Sequence, residues 1–117
     1  MNLISVLLVA LWAILPSPSS ASRNQNSSAP PKTAAYLYRV HCRECHGVDG
    51  KSNTAKGKLN HARDLADPAW QDEVSDERIF NSIMNGRKVR GEMPGFSKRI
   101  SDAEADSLVT FVRNLKK

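Results

Sequence analysis

The chain has 117 residues and carries 17 Lys and Arg against 12 Asp and Glu, a formal net charge of +5. A single small domain is expected from that length, and a domain of under about 100 residues buries a modest fraction of its surface and often relies on a metal group or disulfides for stability. Two cysteines close together in sequence, Cys42 and Cys45, exclude a disulfide scaffold; the basic charge comes without zinc-finger spacing, a basic arm or an aromatic-interleaved strand, so nucleic acid is not an expected partner.

The apolar run from Leu3 to Leu15 is broken only by Ser5, and Pro16 and Ser19-Ser20-Ala21 follow it with the small-residue spacing of a cleavage site. Residues 1–21 are read as a secretory signal peptide, although its n-region has no Lys or Arg and no charge precedes Arg23. A permanent span needs about 20 apolar residues to cross about 30 Å of hydrocarbon, so membrane contact is expected only if the leader is retained. With no Cys near the cleavage point to accept a lipid and no Arg-rich transit character, a bacterial periplasm is the expected location. Residues 22–32, rich in Ser, Asn and Pro, are read as a flexible linker, which leaves 33–117 as the folded domain.

Thr33 can cap a helix whose apolar or semi-apolar positions Ala34, Leu37, Tyr38, His41 and Cys45 recur at three- and four-residue steps, with Gly47 as its stop. That helix ends in Cys42-Arg43-Glu44-Cys45-His46, the Cys-x-x-Cys-His form of a c-type haem attachment site. Cys42 and Cys45 share a face and can each form a thioether to one porphyrin, while His46 offers an imidazole to the iron. Lys51 to Asp67 is polar without sustained periodicity and reads as a loop over one haem edge. Ser75 caps a helix with Asp76 and Glu77 in its first turn and Ile79, Phe80, Ile83 and Met84 on its apolar face, ending at Gly86. Arg87 to Arg99 reads as another loop, and Ser101-Asp102-Ala103-Glu104 is a capping box opening a last helix with the stripe Ala105, Leu108, Val109, Val112 and Leu115. No alternating strand pattern or internal repeat appears, so the fold class is all-α, helices and loops wrapped around one haem.

Residues from about Thr33 to Leu115 resemble a class I monohaem cytochrome c. The motifs stand in that family's order: Leu37-Tyr38 running into Cys42-x-x-Cys45-His46-Gly47, the helix Asp76 to Gly86, Glu92-Met93-Pro94-Gly95-Phe96 as the methionine loop, and Leu108 to Arg113 as the terminal helix. The resemblance implies one covalently attached haem c, His46 and Met93 as the axial ligands of its iron, Tyr38 and Phe111 at the crossing of first and last helices, and Trp70 near a propionate. Two positions depart from the family's habit. Ala34 stands where a Gly is common, and no proline is present among Leu59, Asn60, His61 and Ala62 to offer a carbonyl to the His46 ring.

A Cys-x-x-Cys can also be a redox dithiol or a zinc half-site, but the first needs a βαβ context and the second a further paired motif, and neither is present. Methionine is more often a core filler than a ligand; Met84 lies on an apolar helix face, whereas Met93 sits in a loop punctuated by Gly91, Pro94 and Gly95 with no stripe to serve. His41 and His61 are outside the ligand set, and Asp76, Glu77, Asp102 and Glu104 read as cap and dipole charges rather than an acid and base pair. The expected function is therefore electron transfer, not catalysis, with no small-molecule substrate: single electrons pass between periplasmic redox partners. The alternatives are a haem subunit of a redox enzyme complex, or an open-site haem enzyme or sensor with a displaceable Met. Arg87, Lys88 and Arg90 before Met93, with Lys98 and Arg99 after it, are either a solvated basic face or a collar that steers toward an acidic patch on a partner protein.

Overall fold

The computed structural model describes residues 32–117, so the expected leader at 1–21 and nearly all of the linker lie outside the described residues. Six helices follow in order: α1 Ala34–His41, α2 Arg43–His46, α3 Ala55–Leu59, α4 Pro68–Glu73, α5 Asp76–Asn85 and α6 Asp102–Arg113. Among the described residues there is no strand, only an isolated antiparallel bridge between Arg87 and Met93, and no helix is long and apolar enough to cross a membrane. The all-α expectation agrees with this architecture.

Local chemistry explains the helix ends. The Thr33 side chain accepts from the Tyr36 amide at the start of α1, and Ser75 accepts from Arg78 N at the start of α5. Ser101 and Glu104 form the reciprocal capping box of α6, each accepting from the other's backbone N–H. Helix α2 stops at Gly47, whose φ of +76° lies in the left-handed region that a side chain disfavours.

Helix α6 packs against both α1 and α5. The core they build contains Leu37 and Tyr38 from α1, Ile79 and Ile83 from α5, and Ala105, Leu108, Val109 and Val112 from α6. Tyr38 and Phe111 meet at the α1/α6 crossing with ring centroids 4.7 Å apart and planes tilted by 33°. Leu37 and Leu108 are fully buried, and truncating such a residue to Ala costs about 2–5 kcal/mol.

The structure differs from the sequence reading in three places. The first helix is interrupted at Cys42, whose φ of −114° and ψ of −39° distort the helical turn, so α1 and α2 are separate. Residues 51–67 are not all loop, because Ala55–Leu59 forms a short helix capped by Thr54. Its register admits only a glycine at position 57, since a Cβ there would meet the Cys45 carbonyl, the Ser52 carbonyl at 2.8 Å and Thr54 Oγ1 at 2.9 Å. Finally, Asp67 caps a helix α4 that begins with Pro68. It is tied to the rest by buried Gln71, whose Nε2 donates to the Leu65 and Val112 carbonyls at 2.7 and 2.8 Å, and by Arg113, which donates to the Gln71 and Val74 carbonyls, each at 2.6 Å.

Candidate haem site

Helix α2 is one turn long, so neighbouring segments must hold its side chains. The Thr54 hydroxyl lies 2.8 Å from the Glu44 carbonyl and 3.0 Å from that of Cys45, and Lys56 pairs with Glu44 at 2.8 Å. Because α3 approaches at Gly57, the chain after α2 folds back over the His46 ring. The ring is 7% exposed, and its Nδ1 lies 3.0 Å from the Arg63 carbonyl. A carbonyl can only accept, so Nδ1 carries the hydrogen and Nε2 keeps a free lone pair. Burial lowers the pKa of His46 and the Arg63 hydrogen bond opposes it, the net direction favouring the neutral ring. The acceptor left unassigned by Leu59 to Ala62 is thus supplied by the next residue, Arg63.

His46 faces a cavity of about 1060 Å³ whose wall also includes Cys42, Cys45 and Met93. All four residues singled out in the sequence are therefore brought to one space. Ile79, Ile83, Phe96, Leu108 and Val112 supply apolar wall to the same cavity, which suits the faces of a macrocycle. Burial, with Cys45 as a smaller cause, pushes the Cys42 thiol up to about 12. Asn60 Nδ2 points to Cys45 Sγ at 3.9 Å. Among the described residues no group of three His, Cys, Asp or Glu side chains is arranged to hold a bare ion. Two sulfurs and an imidazole on one cavity wall are the groups by which a c-type haem would be held.

Met93 reaches the cavity from the 87–95 loop. Its backbone exchanges hydrogen bonds with Arg87, each 2.9 Å, and the Asn60 carbonyl accepts from the Glu92 amide at 3.3 Å. The loop lies so close to Asn60 that a Cβ on Gly91 would collide with that carbonyl. Met84 is partly buried against the core and is not part of the cavity wall, consistent with a packing role. His41 and His61 both reach the wall; His41 packs on Phe96 with ring centroids 5.2 Å apart, and His61 is exposed at a φ of +50°. Trp70 also lines the cavity.

The sequence reading missed Arg63, Ser52 and Asn60. Arg63 acts through its carbonyl and Asn60 mainly so, and a backbone acceptor leaves no mark in residue type. Ser52 does carry a signal, a hydroxyl six residues after His46, but only the fold reveals that it turns inward.

The family described as cytochrome c oxidase, cbb3-type, subunit III matches residues 29–112. The chain belongs to this family of c-type cytochrome domains. The cytochrome is 30% identical over 96 residues to the cbb3-type cytochrome c oxidase subunit CcoP of Azospirillum brasilense, covering 82% of this chain and 32% of that protein. It is also 33% identical over 76 residues to the dihydro-heme d1 dehydrogenase of Pseudomonas aeruginosa, covering 65% of this chain and 14% of that protein. The cytochrome thus spans a third or less of the length of these curated relatives. The solved c-type cytochrome KustC0563 is covered over its full length by 74% of this chain, at 40% identity and a TM-score of 0.64. A variant of KustC0563 matches at 38% identity and a TM-score of 0.62, covering 73% of this chain. Membership makes the cofactor a covalently bound haem c with its iron, and the activity haem-based electron transfer.

Proposed function

We propose that Cys42 and Cys45 bind the haem through thioethers, that His46 Nε2 and the Met93 thioether are the axial ligands, and that residues 33–117 act as an electron carrier between protein partners. The observation that carries this reading is that all four side chains line one cavity while the Arg63 carbonyl holds the His46 ring. When bound, the haem supplies a one-electron ferric/ferrous couple. The protein's own residues do the remainder. His46 is held in one tautomer, Met93 offers a soft neutral donor that favours the ferrous state, and the apolar wall from α5 and α6 excludes water. Bringing the Met93→Ala variant through haem attachment tests the ligand set. The weak far-red absorption of methionine-bound ferric haem should vanish; a variant that keeps it refutes Met93 as the ligand.

The partner surface follows from what surrounds the cavity mouth. Lys56, Arg63, Arg78, Arg87, Arg90 and Arg99 line the cavity against four carboxylates, those of Glu44, Asp64, Glu73 and Glu92. Val40 and Val89, 50% and 78% exposed, add apolar surface beside them. Such a mixture suits a docking face with an acidic rim on the partner, and electron-transfer rates should fall as salt rises. A rate independent of ionic strength would contradict that steering. Residues 1–21, read as a signal peptide, support a periplasmic location, which fractionation of cells expressing the full chain would check.

A second reading is favoured by the relatives, one being named as an oxidase subunit and another as a dehydrogenase. The same domain would then be held by one redox complex rather than diffusing between partners. Isolation in a stoichiometric complex after gentle lysis supports that arrangement, and a free monomer supports the carrier.

A further inference from the structure

Ser52 is buried behind the His46 ring, 8% exposed, in a place the electron-transfer reading does not by itself require. Its φ of +56° lies in the left-handed region, an uncommon conformation for a residue with a side chain. The fold imposes it: the Ser52 amide donates to the His46 carbonyl at 2.9 Å, turning the chain sharply after α2. The turn aims the hydroxyl inward. Ser52 Oγ lies 3.2 Å from His46 Nδ1 and also hydrogen bonds to the Arg63 carbonyl, the acceptor that holds the imidazole.

Three polar atoms therefore meet with two hydrogens between them. The Arg63 oxygen has none, and His46 Nδ1 keeps its own if Nε2 is to bind iron. The only direction left for the Ser52 O–H is toward the Arg63 carbonyl. That carbonyl then accepts from two donors, and Nδ1–H is itself divided between the carbonyl at 3.0 Å and the weaker acceptor Ser52 Oγ at 3.2 Å, so its bond to the carbonyl is weaker than it would be alone. A weaker acceptor at Nδ1 leaves the imidazole less electron-rich, which disfavours ferric iron.

We propose that Ser52 is a positioning residue that raises the reduction potential of this cytochrome by competing with His46 for the Arg63 carbonyl. The inference rests on His46 being an axial ligand. Removing the hydroxyl frees the carbonyl for Nδ1–H, strengthens the remaining hydrogen bond and shifts the couple toward the ferric state.

The experiment compares holoprotein carrying Ser52, Ser52→Ala and Ser52→Gly, the glycine variant removing the hydroxyl while accepting the positive φ without strain. Both variants should show a more negative midpoint potential, read as a ferrous-to-ferric ratio about threefold lower at fixed ambient potential, from a modest change in hydrogen-bond polarisation. The Nδ1 proton of His46 in the ferrous protein should move downfield in both. An unchanged or raised potential, or a stationary Nδ1 resonance, overturns the proposal. Ring-current displacement of the other His46 ring protons reports ligation independently. If that displacement is present and Nδ1 does not move, only the Ser52 role fails; if it is absent in all three proteins, the ligand assignment fails and takes the proposal with it.

Discussion

The two sides of the cavity are built in contrasting ways. On the His46 side, every segment is tied to its neighbour: α2 by Thr54 and by the Lys56–Glu44 pair, the imidazole by Arg63, and the following turn by Ser52. On the Met93 side, an exposed loop is held by the Arg87–Met93 bridge and by a backbone hydrogen bond from Glu92 to Asn60, with Phe96 and Ser97 just beyond it donating to the Ile83 and Met84 carbonyls of α5. The first arrangement fixes the orientation of the His46 ring, and the second packs the partly buried Met93 against the core from an exposed loop. A carrier gains from the first a reproducible iron environment. Under the proposed ligand set, the second is where an open-site enzyme or sensor would differ from it.

The largest expected effect comes from breaking the tied side. Gly57→Ala drives a Cβ into the Cys45 and Ser52 backbone, and overpacking of this kind costs about 1–3 kcal/mol or more. Chemical denaturation of the holoprotein should show that loss together with a lower yield of haem attachment, because the Cys45 and His46 segments shift with it. A variant of wild-type stability would mean that α3 does not brace α2.

Gly91→Ala is the matching change on the loop side. Its Cβ would collide with the carbonyl of half-buried Asn60, but Arg87 to Arg90 just before it are exposed and can shift to relieve the clash. The expected stability loss is smaller than that of Gly57→Ala, because an exposed loop rather than the braced helix absorbs the shift. What should change is the far-red absorption of methionine ligation, weakened by a displaced Met93. A loss of stability as large as that of Gly57→Ala would erase the contrast between the two sides.

The smallest expected effect is a pH dependence at the seam between the sides, where His41 packs on Phe96. Burial, then Arg99 and Lys32, lowers the His41 pKa, with Glu104 opposing. The folded state therefore resists protonation that the unfolded chain accepts near its ordinary value of about 6.5. The stability contribution of neutral His41 is complete above that value and is lost as pH falls below it. Denaturation midpoints between about pH 7 and about pH 5 should decline less steeply in His41→Gln than in the parent protein.

How far the site was legible in the sequence divides along the same line. Thr33, Ser75 and the Ser101–Glu104 box announce three helices through side-chain oxygens at fixed offsets, and the stripes of α5 and α6 follow from burial on one face. The Cys42-x-x-Cys45-His46 motif is readable because thioether chemistry demands those residue types. Helix α3 was not, because Ala55–Leu59 has no apolar stripe and contains a glycine chosen for contact rather than propensity. Helix α4 carried an unused signal in Asp67-Pro68, a cap followed by a proline at the first helical position. The Arg63 carbonyl and the Gln71–Arg113 tie depend on tertiary approach, which periodicity does not encode.

Carbon monoxide added to the ferrous holoprotein at neutral pH tests the central claim most directly, beside Met93→Ala measured in the same way. A six-coordinate carrier with Met93 on iron should bind the gas slowly and weakly, while the variant binds it at once. Rapid, tight binding by the parent protein, indistinguishable from that of Met93→Ala, would contradict the account and identify an open-site haem protein instead.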